Sequence, residues 1–108
     1  MNAKLNKDNK IYSIEELKGI MNIIAKNYPI KKIILFGSYA KNIADENSDI
    51  DLVVDTNGEL KGLSFFGLLS DLNNILKKEV DLIDSREIIV DGKISDEIKR
   101  TGIILYEK

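Results

Sequence analysis

Two aspartates, Asp49 and Asp51, stand on alternate positions at the head of the apolar run Ile50, Leu52, Val53, Val54. A short apolar run of this kind, stopped by the turn signal Asn57-Gly58, is a strand, and alternate side chains of a strand share a face. The two carboxylates therefore project side by side. At that separation they raise one another's pKa unless a cation lies between them. Oxygen-only ligands with room for water and phosphate suit Mg²⁺. Ten residues separate Asp49 from Gly37-Ser38, a small-residue turn that can sit against phosphate. Asp-x-Asp alone more often ends a strand at the surface, and Gly-Ser alone is more often a plain strand–helix turn. The two at this distance read as a metal–nucleotide site.

The rest of the composition narrows the chemistry. The chain has 108 residues, 44% of them apolar and 31% charged, which fits one globular domain with a single core. It has no cysteine and no histidine. That excludes disulfides, thiolate zinc sites, thiol or imidazole nucleophiles and any imidazole-dependent triad. Catalysis here must rest on carboxylates, hydroxyls, lysines and metal. Sixteen basic against eighteen acidic residues, a net charge of −2, give no electrostatic case for nucleic acid as the direct partner. No apolar run is long enough to span a bilayer, and no signal-peptide core is visible, so a cytoplasmic location is expected. Arg86 and Arg100 are the only arginines, which reads as a bias of the source.

Along the chain, residues 1–10 are polar and aperiodic, and a flexible arm is expected there, with a single domain over residues 11–108. Ser13 and Glu16 form a capping box, and Ile14, Leu17, Ile20, Met21, Ile24 and Tyr28 repeat at helical spacing up to Pro29. Ile30 to Phe36 reads as a strand ending at Gly37, with a helix starting at Ser38 and fading into the polar residues 42–48. Asp49 to Asp55 is the second strand, Leu63 to Lys78 an amphipathic helix and Glu79 to Asp84 a third strand. A short helix near Ile94 to Arg100 and a last strand, Ile103 to Tyr106, follow. Alternating elements of this kind give an α/β (α+β) fold, a mixed sheet of about four strands flanked by helices.

Gly37-Ser38-Tyr39-Ala40-Lys41-Asn42, Ser48-Asp49-Ile50-Asp51-Leu52 and Val80-Asp81-Leu82 together resemble the signature of the nucleotidyltransferase fold. The likeness is to its smallest, MNT-type members of the polymerase-beta-like superfamily, and covers about Ile14 to Tyr106. Such proteins are similar to the antitoxin of HEPN–MNT toxin–antitoxin pairs. The resemblance implies transfer of AMP from ATP to a tyrosine hydroxyl of a HEPN-type toxin; the oligomeric state, homo- or hetero-oligomer included, stays open. It implies Asp49, Asp51 and Asp81 as catalytic metal ligands for two Mg²⁺ ions, with Gly37, Ser38 and Lys41 on the nucleotide phosphates. The family has Arg-Gly where this chain has Lys41-Asn42. Lysine keeps the charge without the planar fork, and Asn tolerates a left-handed backbone.

Strand parity separately selects the third carboxylate from Asp81 and Asp84. If the second and third strands are neighbours with apolar faces aligned, Asp81 falls on the Asp51 side and Asp84 does not. Other polar residues have plainer readings. Asp55 and Asp84 are turn formers, Asp45 and Glu46 solvated loop, Lys31 and Lys32 a solvated strand edge, and Arg86 an exposed residue. Tyr39 either stacks on a base or is partly buried beside the sheet. In the helix from Leu63, the stripe Phe65, Leu68, Leu69, Leu72, Ile75, Leu76 should face the sheet. Phe66 lies off that stripe and is a candidate partner contact. Two rival functions stand beside the transferase reading. One is a catalytically inactive antitoxin that acts by binding, against which the three aspartates argue. The other is transfer to a small molecule such as an aminoglycoside, which needs an added acceptor-binding domain.

Overall fold

The computed structural model describes residues 9–108, so most of the arm expected over residues 1–10 lies outside the described residues. Four strands form one mixed sheet in the order β3-β2-β1-β4. They are β1 (Lys32–Phe36), β2 (Ile50–Asp55), β3 (Val80–Asp84) and β4 (Ile103–Glu107). β1 runs antiparallel to both β2 and β4, whereas β2 and β3 are parallel. A parallel pair needs a crossover, and the helix α3 (Leu63–Leu76) supplies it. The remaining helices are α1 (Ile14–Ile24), the single turn α2 (Gly37–Ala40) and α4 (Lys93–Thr101).

α1 starts at the capping box. Ser13 Oγ accepts from the Glu16 amide at 3.1 Å, and a Glu16 carboxylate oxygen accepts from the Ser13 amide at 2.9 Å. The periodicity predicts a helix as far as Tyr28, but α1 ends at Ile24. The Lys26 and Asn27 amides bond back three residues, to the carbonyls of Ile23 and Ile24. Pro29 disfavours a helical backbone at Tyr28, so the chain tightens and leaves the helix before reaching it.

Residue parity sorts the two faces of the sheet. Ile33 and Leu35 of β1 pair with Val54 and Leu52 of β2, and Ile50 and Leu52 pair in turn with Val80 and Leu82 of β3. With Leu17, Met21 and Ile24 of α1 and Leu68, Leu72 and Leu76 of α3, these residues make the apolar core. The opposite face carries Ile34, Val53 and Ile83, and there Ile88 and Ile98 line a crevice with Ile34 and Val53. α4 lies against β1 on that side, and none of its residues is buried.

α3 presents one correction. Leu68, Leu72 and Leu76 are buried, yet Ile75 is 50% exposed. Ile75 lies about 60° round the helix from Leu72, at the margin of the stripe, beyond the width that the sheet covers. Phe66 is exposed, off the stripe, where the helical repeat puts it. Lys77 ends the helix in the left-handed region at φ 57°, and the Asn73 side-chain carbonyl accepts from the Val80 amide at 2.9 Å to start β3. No helix among the described residues is long and apolar enough to cross a membrane.

Candidate active site

The strand register decides what the site can be. Asp51 lies opposite Asp81 in the parallel β2–β3 pair, on the face away from the core. Neighbouring strands run about 4.8 Å apart, so the two carboxylates share one small region. Asp84, three residues on from Asp81, pairs with Val54 and is buried on the other face. Its carboxylate accepts from the Arg86 amide and guanidinium, both at 3.0 Å, and caps a 3₁₀ turn over Ser85–Glu87. That hydrogen bonding to Arg86 holds the Asp84 carboxyl below the usual range. Asp84 is a turn former, away from the Asp51–Asp81 pair.

Gly37 follows β1 at φ +74°, a left-handed conformation that glycine adopts without strain. A Cβ at Gly37 would lie 2.0 Å from Asp51 Oδ2. The turn and the carboxylate are thus in direct contact, and glycine is required both by the backbone and by the space Asp51 fills. α2 is one turn long, shorter than the helix expected from Ser38. Its end is closed by Asn42 at φ 61°, with the Asn42 amide on the Tyr39 carbonyl and the Ile43 amide on the Ser38 carbonyl. This is the paired closure of a Schellman turn, with Asn as the left-handed residue in place of glycine.

Asp49 precedes β2 and is exposed. The loop before it is self-bonded, with the Asp45 carboxylate accepting from the Asn47 amide and the Ser48 hydroxyl from the Asp45 amide. Lys78, wholly buried, reaches across to donate to the Glu46 carbonyl at 2.9 Å and so ties this loop to the α3–β3 connection. No local pattern of residues signals that anchor. Tyr39 is buried in the core cluster, which removes the reading in which it stacks on a base.

A second residue escaped the sequence reading altogether. Glu97 of α4 accepts from the Gly37 amide through Oε2 at 2.9 Å, and the Lys41 ammonium lies 3.4 Å from the same oxygen. Two carboxylates, Asp51 and Glu97, therefore meet at one glycine turn. The Asp51 pKa is pushed up to about 6, first by burial, then by the negative charges of Asp81, Asp49 and Glu97, against which Lys41 pulls the other way. Oxygen donors with an excess of negative charge fit a hard divalent cation. Among the described residues no three acidic side chains are drawn together tightly enough to form a closed metal cage.

A glycine turn packed on paired strand carboxylates, within a four-stranded mixed sheet, defines the class. The chain belongs to the polymerase beta nucleotidyltransferase family, whose model matches residues 18–108. It is 37% identical over 83 residues to the Methanocaldococcus jannaschii protein named "Putative protein adenylyltransferase MJ1215", an alignment spanning 73% of this chain and 96% of that one. To the protein adenylyltransferase MntA of Thermococcus cleftensis it is 31% identical over 75 residues, or 66% of this chain and 76% of that protein. Among solved structures it is similar to a chain in a crystal structure of a toxin–antitoxin with AMP-PNP. The TM-score is 0.71 at 25% identity, over 84% of this chain and 73% of the other. A complex of tri-AMPylated Shewanella oneidensis HEPN toxin with MNT antitoxin shares the fold, with a TM-score of 0.66 at 22% identity over 88% and 73% of the two chains.

Proposed function

We propose that this chain transfers AMP from ATP to a tyrosine hydroxyl of a HEPN-type partner protein and thereby acts as its antitoxin, in the cytoplasm. The observation that carries the reading is the contact of Asp51 Oδ2 with the space over Gly37. A triphosphate lying on that turn puts its α-phosphorus within reach of the Asp51–Asp81 face. Relatives named protein adenylyltransferase, and the toxin–antitoxin structure holding AMP-PNP, support the same chemistry and partner.

In this reading the Gly37 amide, Ser38 and Lys41 hold the phosphates, and Asp49, Asp51 and Asp81 are the residues that would hold Mg²⁺, two ions in the proposal. The metal would supply Lewis-acid stabilisation of charge on the entering and leaving oxygens. Asp81, exposed at the start of β3, takes the proton of the acceptor hydroxyl. The acceptor oxygen forms a bond to the α-phosphorus, the bond from that phosphorus to the bridging oxygen breaks, and pyrophosphate leaves.

The test is incubation of the chain with α-labelled ATP, Mg²⁺ and a purified HEPN partner, with mass analysis of the product. A mass increase of AMP on a partner tyrosine supports the reading. Neutralisation of the partner with no label transferred would favour the binding-only antitoxin, and label on an aminoglycoside supplied in a parallel incubation, with none on protein, would favour the small-molecule enzyme.

A further inference from the structure

Glu97 sits where the proposed chemistry least needs an acid. The Asp51 carboxylate already fills the space over the turn and feels the charges of Asp81 and Asp49, and Glu97 adds to that repulsion. What holds it there is a single oxygen, Oε2, that takes the Gly37 amide at 2.9 Å and the Lys41 ammonium at 3.4 Å. One anionic oxygen bridging a glycine amide and a lysine is also how a phosphate oxygen would be held. Glu97 and a phosphate cannot occupy that place together.

The element that carries Glu97 is suited to withdrawing it. α1 and α3 each bury three side chains, whereas α4 buries none. Before α4 the chain passes through Ile89 and Val90, both exposed, and Gly92. Local opening is least costly where few apolar contacts are lost, and α4 meets that condition better than any other long helix described.

We propose that Glu97 is a built-in stand-in for phosphate: in the nucleotide-free chain its carboxylate occupies the Gly37 amide and Lys41, and it must leave before a triphosphate can bind there. The inference rests on the nucleotide reading above and adds to it that affinity is restrained from within. Glu97 thus competes with the nucleotide and does not help to bind it. A Glu97 that instead completed the cation site would have the opposite effect, since its removal would weaken binding.

Calorimetric titration of the full chain separates these cases. Wild type and Glu97→Gln are titrated with AMP-PNP plus Mg²⁺, and with inorganic tripolyphosphate, after thermal melting has shown both to be folded. Glutamine keeps the size and removes the charge. The expected result is binding of both probes about tenfold tighter in Glu97→Gln, the scale of one charge-assisted hydrogen bond. Should Glu97→Gln fail to fold, Glu97→Asp, whose shorter side chain cannot reach Gly37, should bind tighter than wild type in its place. Wild type binding AMP-PNP with the folded variant binding equally or more weakly overturns the competition and leaves the nucleotide reading standing. Absence of binding in both chains overturns both.

Discussion

On one face of the sheet Ile33, Leu35, Ile50, Leu52 and Val54 are sealed beneath α1 and α3; on the other, Asp51 and Asp81 stand side by side next to Gly37. The same strands build both faces, one residue out of phase. Burial of apolar surface stabilises the first, at roughly 25 cal/mol per Å² removed from water. The second accumulates like charge, which works against folding until a counter-ion or ligand arrives. Asp51 and Asp84 show the contrast within one strand pair. Asp51, partly buried and with acids beside it, has its carboxyl pushed up to about 6, whereas Asp84, paired with Arg86, is held below the usual range. Stability and reactivity in this small domain are segregated by strand parity.

The largest expected effect tests the sealed face. Leu72→Ala should cost about 2–5 kcal/mol in chemical denaturation, since its side chain is fully enclosed. Transfer activity per folded molecule should be unchanged. An equal loss of both would mean that the faces are not separable. Asp51→Asn should do the reverse, reducing transfer by at least about 10²-fold while leaving the fold intact or slightly more stable. Activity close to wild type with Mg²⁺ saturating would remove Asp51 from the site.

A pH series sharpens the same contrast. The folded Asp51 carboxyl holds its proton more tightly than the unfolded one. Its contribution to stability is full below its unfolded pKa, near 3.8, and is lost as pH rises through about 6. Asp84 has the opposite sign: its contribution is present above the ordinary carboxyl range and is lost as pH falls through the folded value. Melting temperatures of the metal-free chain should therefore contain a decline between pH 4 and pH 6 that Asp51→Asn lacks and that Mg²⁺ with nucleotide diminishes. The smallest effect is local. Lys77→Gly should raise stability by about 0.5–1 kcal/mol, because Lys77 occupies a left-handed position at the end of α3.

Features that depend on a few neighbouring residues were legible in the sequence. The capping box at Ser13, the left-handed Asn42 and Asn57-Gly58 and the separation of Asp81 from Asp84 by parity all follow from local rules. The family likeness rested on the same short motifs. Glu97 was not legible, because its partner Gly37 lies sixty positions away and the contact depends on where α4 docks. Lys78 was hidden for the same reason, as its acceptor is the backbone of Glu46, thirty-two positions away. Ile75 looked like core because periodicity gives a direction on the helix and not the width of the surface beneath it.

The segregation of the two faces, and the site placed on one of them, meet in Asp81 and Asp84, three residues apart on β3 with opposite orientations. The most direct measurement is transfer of labelled AMP to the proposed HEPN-type partner by Asp81→Asn and by Asp84→Asn, each corrected for its folded fraction. Asp81→Asn should transfer at background level, and Asp84→Asn, although less stable, at the wild-type rate per folded molecule. A working Asp81→Asn beside a dead but folded Asp84→Asn would contradict it.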